Sequence, residues 1–135
     1  MSIKTIIDET KARIETVTTN EPVVTSYESF DPTLRQPWIR ISVLPSESNN
    51  ITQGIDSILE DNGLMQVDIF TPSNTDLSFN LFDTIRTAIL NKRKFPSFQI
   101  DRAWRGVDSF ETDWIQTPLL IRWRKFIPNI GINDG

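Results

Sequence analysis

The sequence predicts an α+β domain, in which a mainly antiparallel, twisted sheet carries two amphipathic helices on one face. Two segments repeat apolar residues at three- and four-residue intervals, which is typical of helices that bury one stripe. The other segments alternate apolar and polar residues, as strands with one solvated face do. The predicted order is α-β-β-β-α-β-β. Because the 135 residues are about one domain's length and contain no repeat or linker, we predict a single domain over residues 1–135.

The first predicted helix spans about Ser2–Thr18. Its stripe of apolar and threonine positions consists of Ile3, Ile6, Ile7, Thr10, Ile14 and Val17. Ser2 is a favourable N-cap, and Asn20-Glu21-Pro22 ends the segment. Since an isolated helix of this length is marginal in water, we expect its stripe to pack on the rest of the domain.

Three strands are predicted between the two helices. Val23–Tyr27 is a short candidate, whereas Trp38–Leu44 and Gly63–Phe70 alternate cleanly. We predict that the two alternating strands pair antiparallel, which brings Arg40 and Asp68 together on the solvent face. The polar excursion that joins them is expected to be a mobile loop.

The second helix is predicted to begin at Asn74 or Asp76 and to reach about Asn91. Its apolar stripe consists of Leu77, Leu81, Phe82, Ile85, Ala88 and Ile89. The run Lys92-Arg93-Lys94 follows at the end of the helix, where the helix dipole favours cations. This basic run is therefore explained by helix termination at least as well as by a ligand site.

Two further strands complete the predicted sheet. The residues expected on the buried face of the first are Phe98, Ile100 and Trp104. The second runs from Ile115 to Arg124, and the acidic segment Gly106–Asp113 connects the two strands. The tail from Pro128 to Gly135 has little packing potential, and we expect it to be frayed.

Composition excludes several classes of chemistry. The chain contains no Cys and no His, so thiol and imidazole metal sites, disulfides and Ser-His-Asp triads are excluded. Its 5 glycines are scattered and form no phosphate-binding loop. No stretch reaches the ~18 consecutive apolar residues of a membrane-spanning helix. Acidic residues also interrupt the N-terminus before a signal peptide forms, so we expect a soluble protein of cytoplasmic origin without a cofactor.

Charge is distributed unevenly along the chain. There are 14 Lys and Arg against 18 Asp and Glu, a net charge of −4, yet residues 86–105 are strongly basic. The acids that follow are interpreted as solvated loop residues rather than a catalytic or metal-binding set, and they are Asp108, Glu111 and Asp113. A general nucleic-acid binder is usually basic overall, and Phe98 and Trp104 are expected in the core. Both observations count against nucleic-acid binding. A small nucleic-acid-binding module is therefore kept as the alternative from another functional class, not as the main prediction.

Large aromatic side chains in unusual places favour a protein that contacts other proteins. Trp38, Trp114 and Phe126 fall on the polar faces or ends of predicted strands, where helices, loops or a partner must cover them. No set of catalytic residue types converges in the sequence. We therefore predict a binding protein without enzymatic activity.

Two strand motifs resemble the tail terminator-like proteins of long-tailed bacteriophages. The first motif reads Trp38-Ile39-Arg40-Ile41-Ser42-Val43-Leu44-Pro45-Ser46-Glu47. The second reads Gly63-Leu64-Met65-Gln66-Val67-Asp68-Ile69-Phe70-Thr71-Pro72, and a predicted helix follows it directly. The opening helix, the length and the acidic balance also match, so the resemblance covers most of the chain. One segment departs from the commoner pattern, because Glu60-Asp61-Asn62 precedes the glycine where arginines are usual.

The resemblance implies a structural virion protein at the head-proximal end of the tail, made in the host cytoplasm. Six copies would form a ring that caps the tail tube, stops its polymerisation and offers a docking surface to the head. The implied partners are other copies of the chain, the tail tube protein and the head–neck connector proteins, with no membrane and no sequence-specific nucleic acid. A neck, head-completion or baseplate protein is the nearest alternative, since fold alone does not determine function.

Two surfaces are assigned to these contacts. We predict that the basic stretch of one subunit meets an acidic region, 56–61 or 108–113, of its neighbour. The residues assigned to this subunit interface are Arg93, Lys94, Arg102, Arg105, Asp108, Glu111 and Asp113. The loop over 46–53 is assigned to the tube, and its contact residues are Ser46, Glu47, Asn49, Asn50 and Gln53.

Overall fold

The computed structural model describes residues 3–18, 20–32, 36–44, 47–50, 58–73 and 76–128. The two helices are α1 (Ile3–Glu15) and α2 (Leu77–Lys92). The seven strands are β1 (Val23–Thr25), β2 (Trp38–Val43), β3 (Glu47–Asn50), β4 (Ile58–Pro72), β5 (Gln99–Arg105), β6 (Ser109–Phe110) and β7 (Trp114–Pro128). They form one sheet, on which α1 contacts β1 and β2 while α2 contacts β4, β5 and β7, and the two helices also contact each other.

The strand order is β1-β2-β4-β7-β5, and every pairing is antiparallel except that of β1 with β2. The centre of the sheet is the ladder between β4 and β7, which runs from Ile58 opposite Pro128 to Pro72 opposite Trp114. At about 3.3 Å per residue this ladder is about 46 Å long. β3 pairs with β4 at one end of the ladder, and β6 pairs with β7 at the other. The two ends of the molecule are therefore built from different segments.

One face of the sheet and both helices enclose the core. Alternate residues of the central strands point to this face and are buried, as alternation requires: Ile39, Ile41, Met65, Val67, Ile69, Leu119, Ile121 and Trp123. The helices contribute Ile6, Ile7, Ile14, Phe82, Ile85 and Ile89. The apolar stripes expected from the sequence thus meet across one helix–sheet interface. The α+β fold class is confirmed.

The pairing predicted for the two alternating strands is confirmed. β2 and β4 are antiparallel, and Arg40 lies directly opposite Asp68. Their side chains form an ion pair with a nitrogen–oxygen distance of 3.5 Å. Gln66 also donates to the Asp68 carboxylate at 2.7 Å, which explains how a carboxylate that is only 1% exposed is tolerated.

Two short strands were not predicted. The backbone of residues 47–50 pairs with β4 as β3, so the expectation of a loop is wrong there. These residues are all polar and do not alternate, and pairing with β4 rather than local pattern makes them a strand. Ser46 and Gln53 lie outside the described residues, as do residues 129–135 of the tail predicted to be frayed. β6 has only two residues, too few for a periodic signal.

The prediction that Trp104 shares the buried face with Phe98 and Ile100 is wrong. The register between β5 and β7 shifts between Ile100 and Arg102, which is a β-bulge. Because an extra residue reverses the alternation beyond it, Ala103 is buried and Trp104 lies on the opposite, open face of the sheet.

On each of the two outer strands of the sheet, a side chain binds one backbone group. On β1, the Thr25 backbone N–H donates to the Glu28 carboxylate at 2.8 Å. On β5, the Arg86 guanidinium donates to the Ala103 carbonyl oxygen at 3.2 Å. Exposed strand edges pair readily with other chains. These contacts therefore reduce uncontrolled edge-to-edge association at the two outer strands.

Candidate interaction surfaces

The C-terminal end of α2 is basic and exposed. Lys92, Arg93 and Lys94 are all exposed, and Arg93 adopts a φ of 51°. Arg93 is the one non-glycine residue with positive φ in the described ranges. Its backbone N–H donates to the Ile89 carbonyl oxygen at 3.1 Å and so ends the helix. Glycine is the usual residue in such a conformation, and an arginine there carries backbone strain.

A basic groove lies between this helix end and the start of β5. Its volume is about 500 Å³, and it is lined by Arg93, Lys94, Gln99, Ile100, Asp101 and Arg124. Among the described residues that line it, Asp101 is the single acid, and it pairs with Arg124 at 2.9 Å. A neighbouring depression of about 200 Å³ shares Lys94, Gln99 and Arg124 and is continued by Phe95 and Phe98. The groove therefore has cationic side chains at its rim, and Phe95 and Phe98, which are only 6% and 4% exposed, form the base of the depression beside it.

The open face of the sheet carries two exposed arginines side by side. Arg102 and Arg122 lie directly opposite each other in the ladder between β5 and β7. Like charges in this position destabilise a strand pair. The Arg102 guanidinium also lies 4.5 Å from the centre of the Trp104 ring. This face suits a negatively charged partner.

At the opposite end of the molecule, residues 107–113 form a turn, called the acidic turn below, that projects two apolar side chains. Val107 is 89% exposed and Phe110 is 74% exposed. Glu111 and Asp113 beside them are also exposed. Bulky apolar side chains rimmed by charge are typical of protein-binding surfaces.

The base of this turn is fixed within the chain. Arg105 pairs with Asp108 at 2.8 Å, and its guanidinium lies 5.3 Å and 5.2 Å from the ring centres of Phe79 and Phe82. Gly106 packs so closely that an added Cβ would lie 2.9 Å from the Pro118 side chain. The turn is therefore held in a defined orientation on the sheet.

The structure separates the seven residues assigned to the subunit interface into three groups. Arg93 and Lys94 lie at the C-terminal end of α2, with Arg102 on the open face of the adjoining strand β5, and Glu111 and Asp113 lie on the acidic turn. Arg105 and Asp108 bind each other, so both are occupied within one chain. The exposed side chains of Val107 and Phe110 were missed because isolated apolar residues in a short acidic connection carry no periodic signal.

The sequence predicts that Trp38, Trp114 and Phe126 need a covering group, and the structure shows the surroundings of the two tryptophans. Trp38 is 9% exposed and is covered by its own chain: its ring stacks on Phe70 at 4.1 Å and lies 4.9 Å from Phe30. Trp114 is half-buried at the end of β7. The Trp38 indole N–H has no hydrogen-bond partner in the described part of the chain. The side chain of Phe126 lies outside the described residues.

The segment assigned to the tube contact lies at the end of the β4–β7 ladder that is nearest to the basic groove. The backbones of Glu47, Asn49 and Asn50 pair with residues 59–62 of β4. The hairpin formed by β3 and β4 is therefore a regular extension of the sheet. It lies at the opposite end of the β4–β7 ladder from the acidic turn.

Within the described ranges, no group of three or more acidic side chains is arranged to hold a metal ion. None of the described helices is long and apolar enough to cross a membrane.

Comparison with known proteins gives a family. Residues 5–81, more than half of the chain, match the family model described as phage tail terminator protein. No curated protein matches the sequence. Among solved structures 18 chains match, and one of them, whose name states no function, superposes with a TM-score of 0.65 at 14% identity. That alignment covers 93% of this chain and 96% of the other, and at this identity it shows a shared fold alone.

Proposed function

The chain belongs to the phage tail terminator protein family, and on this premise we propose that it caps the tail tube as a ring of six copies. The match over residues 5–81 carries the proposal. The ring would stop polymerisation of the tube at the head-proximal end of the tail and provide the surface that joins the head. It would act by stoichiometric binding, without catalysis or a cofactor, after synthesis in the host cytoplasm.

The charge distribution supports a ring built from head-to-tail contacts. A ring forms when one patch on each subunit meets a different patch on the next and the rotation closes. Arg93, Lys94 and Arg102 supply a basic patch, and Glu111 and Asp113 supply an acidic one at the other end of the subunit. Arg105 and Asp108 would support this interface indirectly, because their ion pair fixes the acidic turn.

A cap also needs two unlike axial surfaces. One must match the last ring of tube protein, and the other must fail to match it, so that the tube does not continue. We assign the tube contact to Ser46–Gln53, which includes the polar strand β3. The partners are then further copies of the chain, the tail tube protein and the head–neck connector proteins.

Electron microscopy of particles made by the parent phage with this gene interrupted tests the proposal. We expect overlong tails of variable length beside filled heads without tails. Supplying the gene in trans should restore uniform tails, which serves as the control. Tails of normal length that fail to join heads would instead identify a neck or head-completion protein, and normal heads joined to defective tail tips would identify a baseplate protein.

A nucleic-acid-binding function is the second candidate, because the structure exposes a cation–aromatic pair. Trp104 is half-buried on the open face beside Arg102, and cations with stacking aromatics hold single strands in this way. Titration with single-stranded DNA at increasing salt tests this candidate. Tight binding that weakens steeply with salt supports it, whereas the acidic capping protein should show none.

A further inference from the structure

We infer that the acidic turn of one copy, residues 107–113, inserts into the basic groove of the next copy in the ring. The groove is the cavity defined above by Arg93, Lys94, Gln99, Ile100, Asp101 and Arg124. This inference rests on the proposed ring, and it names the two surfaces that hold neighbouring subunits together. The occupant of the groove is thus a second copy of this chain.

Charge complementarity selects this occupant. Among the described residues that line the groove there are three cations and one acid, and that acid, Asp101, is paired with Arg124. The turn presents the carboxylates of Glu111 and Asp113, and neither forms an ion pair within the described part of the chain. Opposite charges that meet across an interface fix its register and exclude wrong partners.

The shape and polarity of the acidic turn also match those of the basic groove. Phe110 projects from the turn and is 74% exposed, although aromatic residues in monomers are usually covered. The depression of about 200 Å³ beside the groove, at whose base Phe95 and Phe98 are 6% and 4% exposed, offers a place for a ring of this kind. An aromatic anchor surrounded by charged contacts is the usual composition of an interface centre.

The backbone at Arg93 is an independent observation. Its φ of 51° places this arginine where glycine is favoured, so the chain carries strain to keep a cation at the mouth of the groove. The side chain reaches the Asp101 carbonyl oxygen at 3.4 Å but finds no carboxylate in the described ranges. A carboxylate from a neighbouring copy supplies the missing partner.

Geometry makes the contact head-to-tail. The turn lies beside the N-terminal end of α2, because Arg105 contacts Phe79, while the groove lies at the C-terminal end of the same helix. The helix has 16 residues and is about 24 Å long, so the turn cannot reach the groove of its own chain. A contact between different patches on identical subunits propagates from copy to copy and closes into a ring when the rotation permits.

Site-directed cross-linking in assembled tails is the primary test. The chain has no Cys, so introduced cysteines react alone. The variant T112C/Q99C carries one cysteine on the turn and one on the groove, leaves the groove's cations in place, and is supplied in trans to the interrupted phage. A short bismaleimide should join it into a ladder of dimers, trimers and higher species up to the hexamer. The matched control T112C/S26C, whose second cysteine directly follows the distant edge strand β1, should give no ladder.

Each outcome decides the inference. A ladder with T112C/Q99C alone supports it. Normal tails that contain the variant without a ladder overturn it and leave the proposed function intact. Dimers from T112C or Q99C singly overturn it too, because they indicate a symmetric contact. Normal tails in the absence of the gene would overturn the proposed function itself.

Charge variants and a backbone variant separate binding from folding. We expect K94E and E111K each to lower incorporation into tails about tenfold, and the double variant K94E/E111K to restore it. The control K4E makes the same charge change on α1 and should have no effect. R93G should raise the melting temperature, because it relieves strain, and yet lower incorporation. Incorporation of R93G at the wild-type level would contradict a role for this cation in the groove.

Discussion

The two faces of the sheet use the same alternating pattern for different purposes. On the helix side, Ile41, Val67 and Leu119 lie in one row across β2, β4 and β7, and all three are fully buried. The adjacent row, one residue away on each strand, lies on the open side. It begins with Arg40 opposite Asp68 and contains both charged and apolar groups. The comparison indicates that stability comes mainly from the helix side, which leaves the open face and the ends of the molecule available for recognition.

The sharpest test of this difference uses two neighbouring residues. Ile121 is fully buried on the helix side, and Arg122 is exposed on the open side. We expect I121A to lower the free energy of unfolding by about 2–5 kcal/mol, because it removes buried contacts and leaves a cavity. The control R122A should change it by less than about 0.5 kcal/mol. Urea denaturation measures both, and equal losses would contradict the assignment of stability to one face.

Removal of a buried carboxylate on the open face should lower the stability more than removal of a partly exposed one. Asp68 is 1% exposed and holds both Arg40 and Gln66. D68A leaves these two groups without their acceptor, and we expect a loss of about 1–3 kcal/mol. The comparison variant D101A removes a pair whose side chains are 30% and 36% exposed, for a loss of at most about 1 kcal/mol. A larger loss for D101A in chemical denaturation would reverse this ranking.

The packing of the acidic turn can be tested at its glycine. G106A places a methyl group 2.9 Å from the Pro118 ring and 3.3 Å from a Leu120 methyl group. We expect a loss of about 1–3 kcal/mol from overpacking. Adding P118A should recover part of the loss if the clash is its cause. A double-mutant cycle by thermal denaturation measures this coupling, and strict additivity would exclude the contact.

The smallest expected effect is at the edge of β1. Hydrogen bonds from the Thr25 backbone N–H and hydroxyl lower the pKa of Glu28 below its ordinary value of 4.5. Because the pKa is lower in the folded state, the stabilisation is fully present above about pH 4.5 and is lost as pH falls through the folded value. We expect E28Q to reduce the loss of stability between pH 7 and about pH 3 slightly, since this carboxylate is exposed. Identical pH profiles for E28Q and wild type would contradict the linkage.

Much of the fold could be predicted from the sequence because long periodic segments dominate it. Both helices and the Arg40–Asp68 register follow from spacing alone. β3 could not be predicted, because its four polar residues become a strand only through their neighbour β4. The bulge after Ile100 could not be predicted either, because one extra residue reverses the alternation of buried and open residues without any change in composition.

The candidate interaction surfaces were less predictable than the fold. The uneven charge indicated Lys94 and Glu111 as interface residues, but it did not show that they lie at opposite ends of α2. Arg105 and Asp108 appeared free in the sequence, whereas the turn folds back and pairs them. The positive φ at Arg93 has no signature in the sequence, because glycine is the residue that normally announces it.

Cryo-electron microscopy of complete tails from the parent phage is the most direct test of the central claim. The account predicts a single ring of six copies of this chain at the head-proximal end, in contact with the last ring of tube protein. Density for the chain at the tail tip, on the head side of an already capped tube, or nowhere in the virion would contradict it.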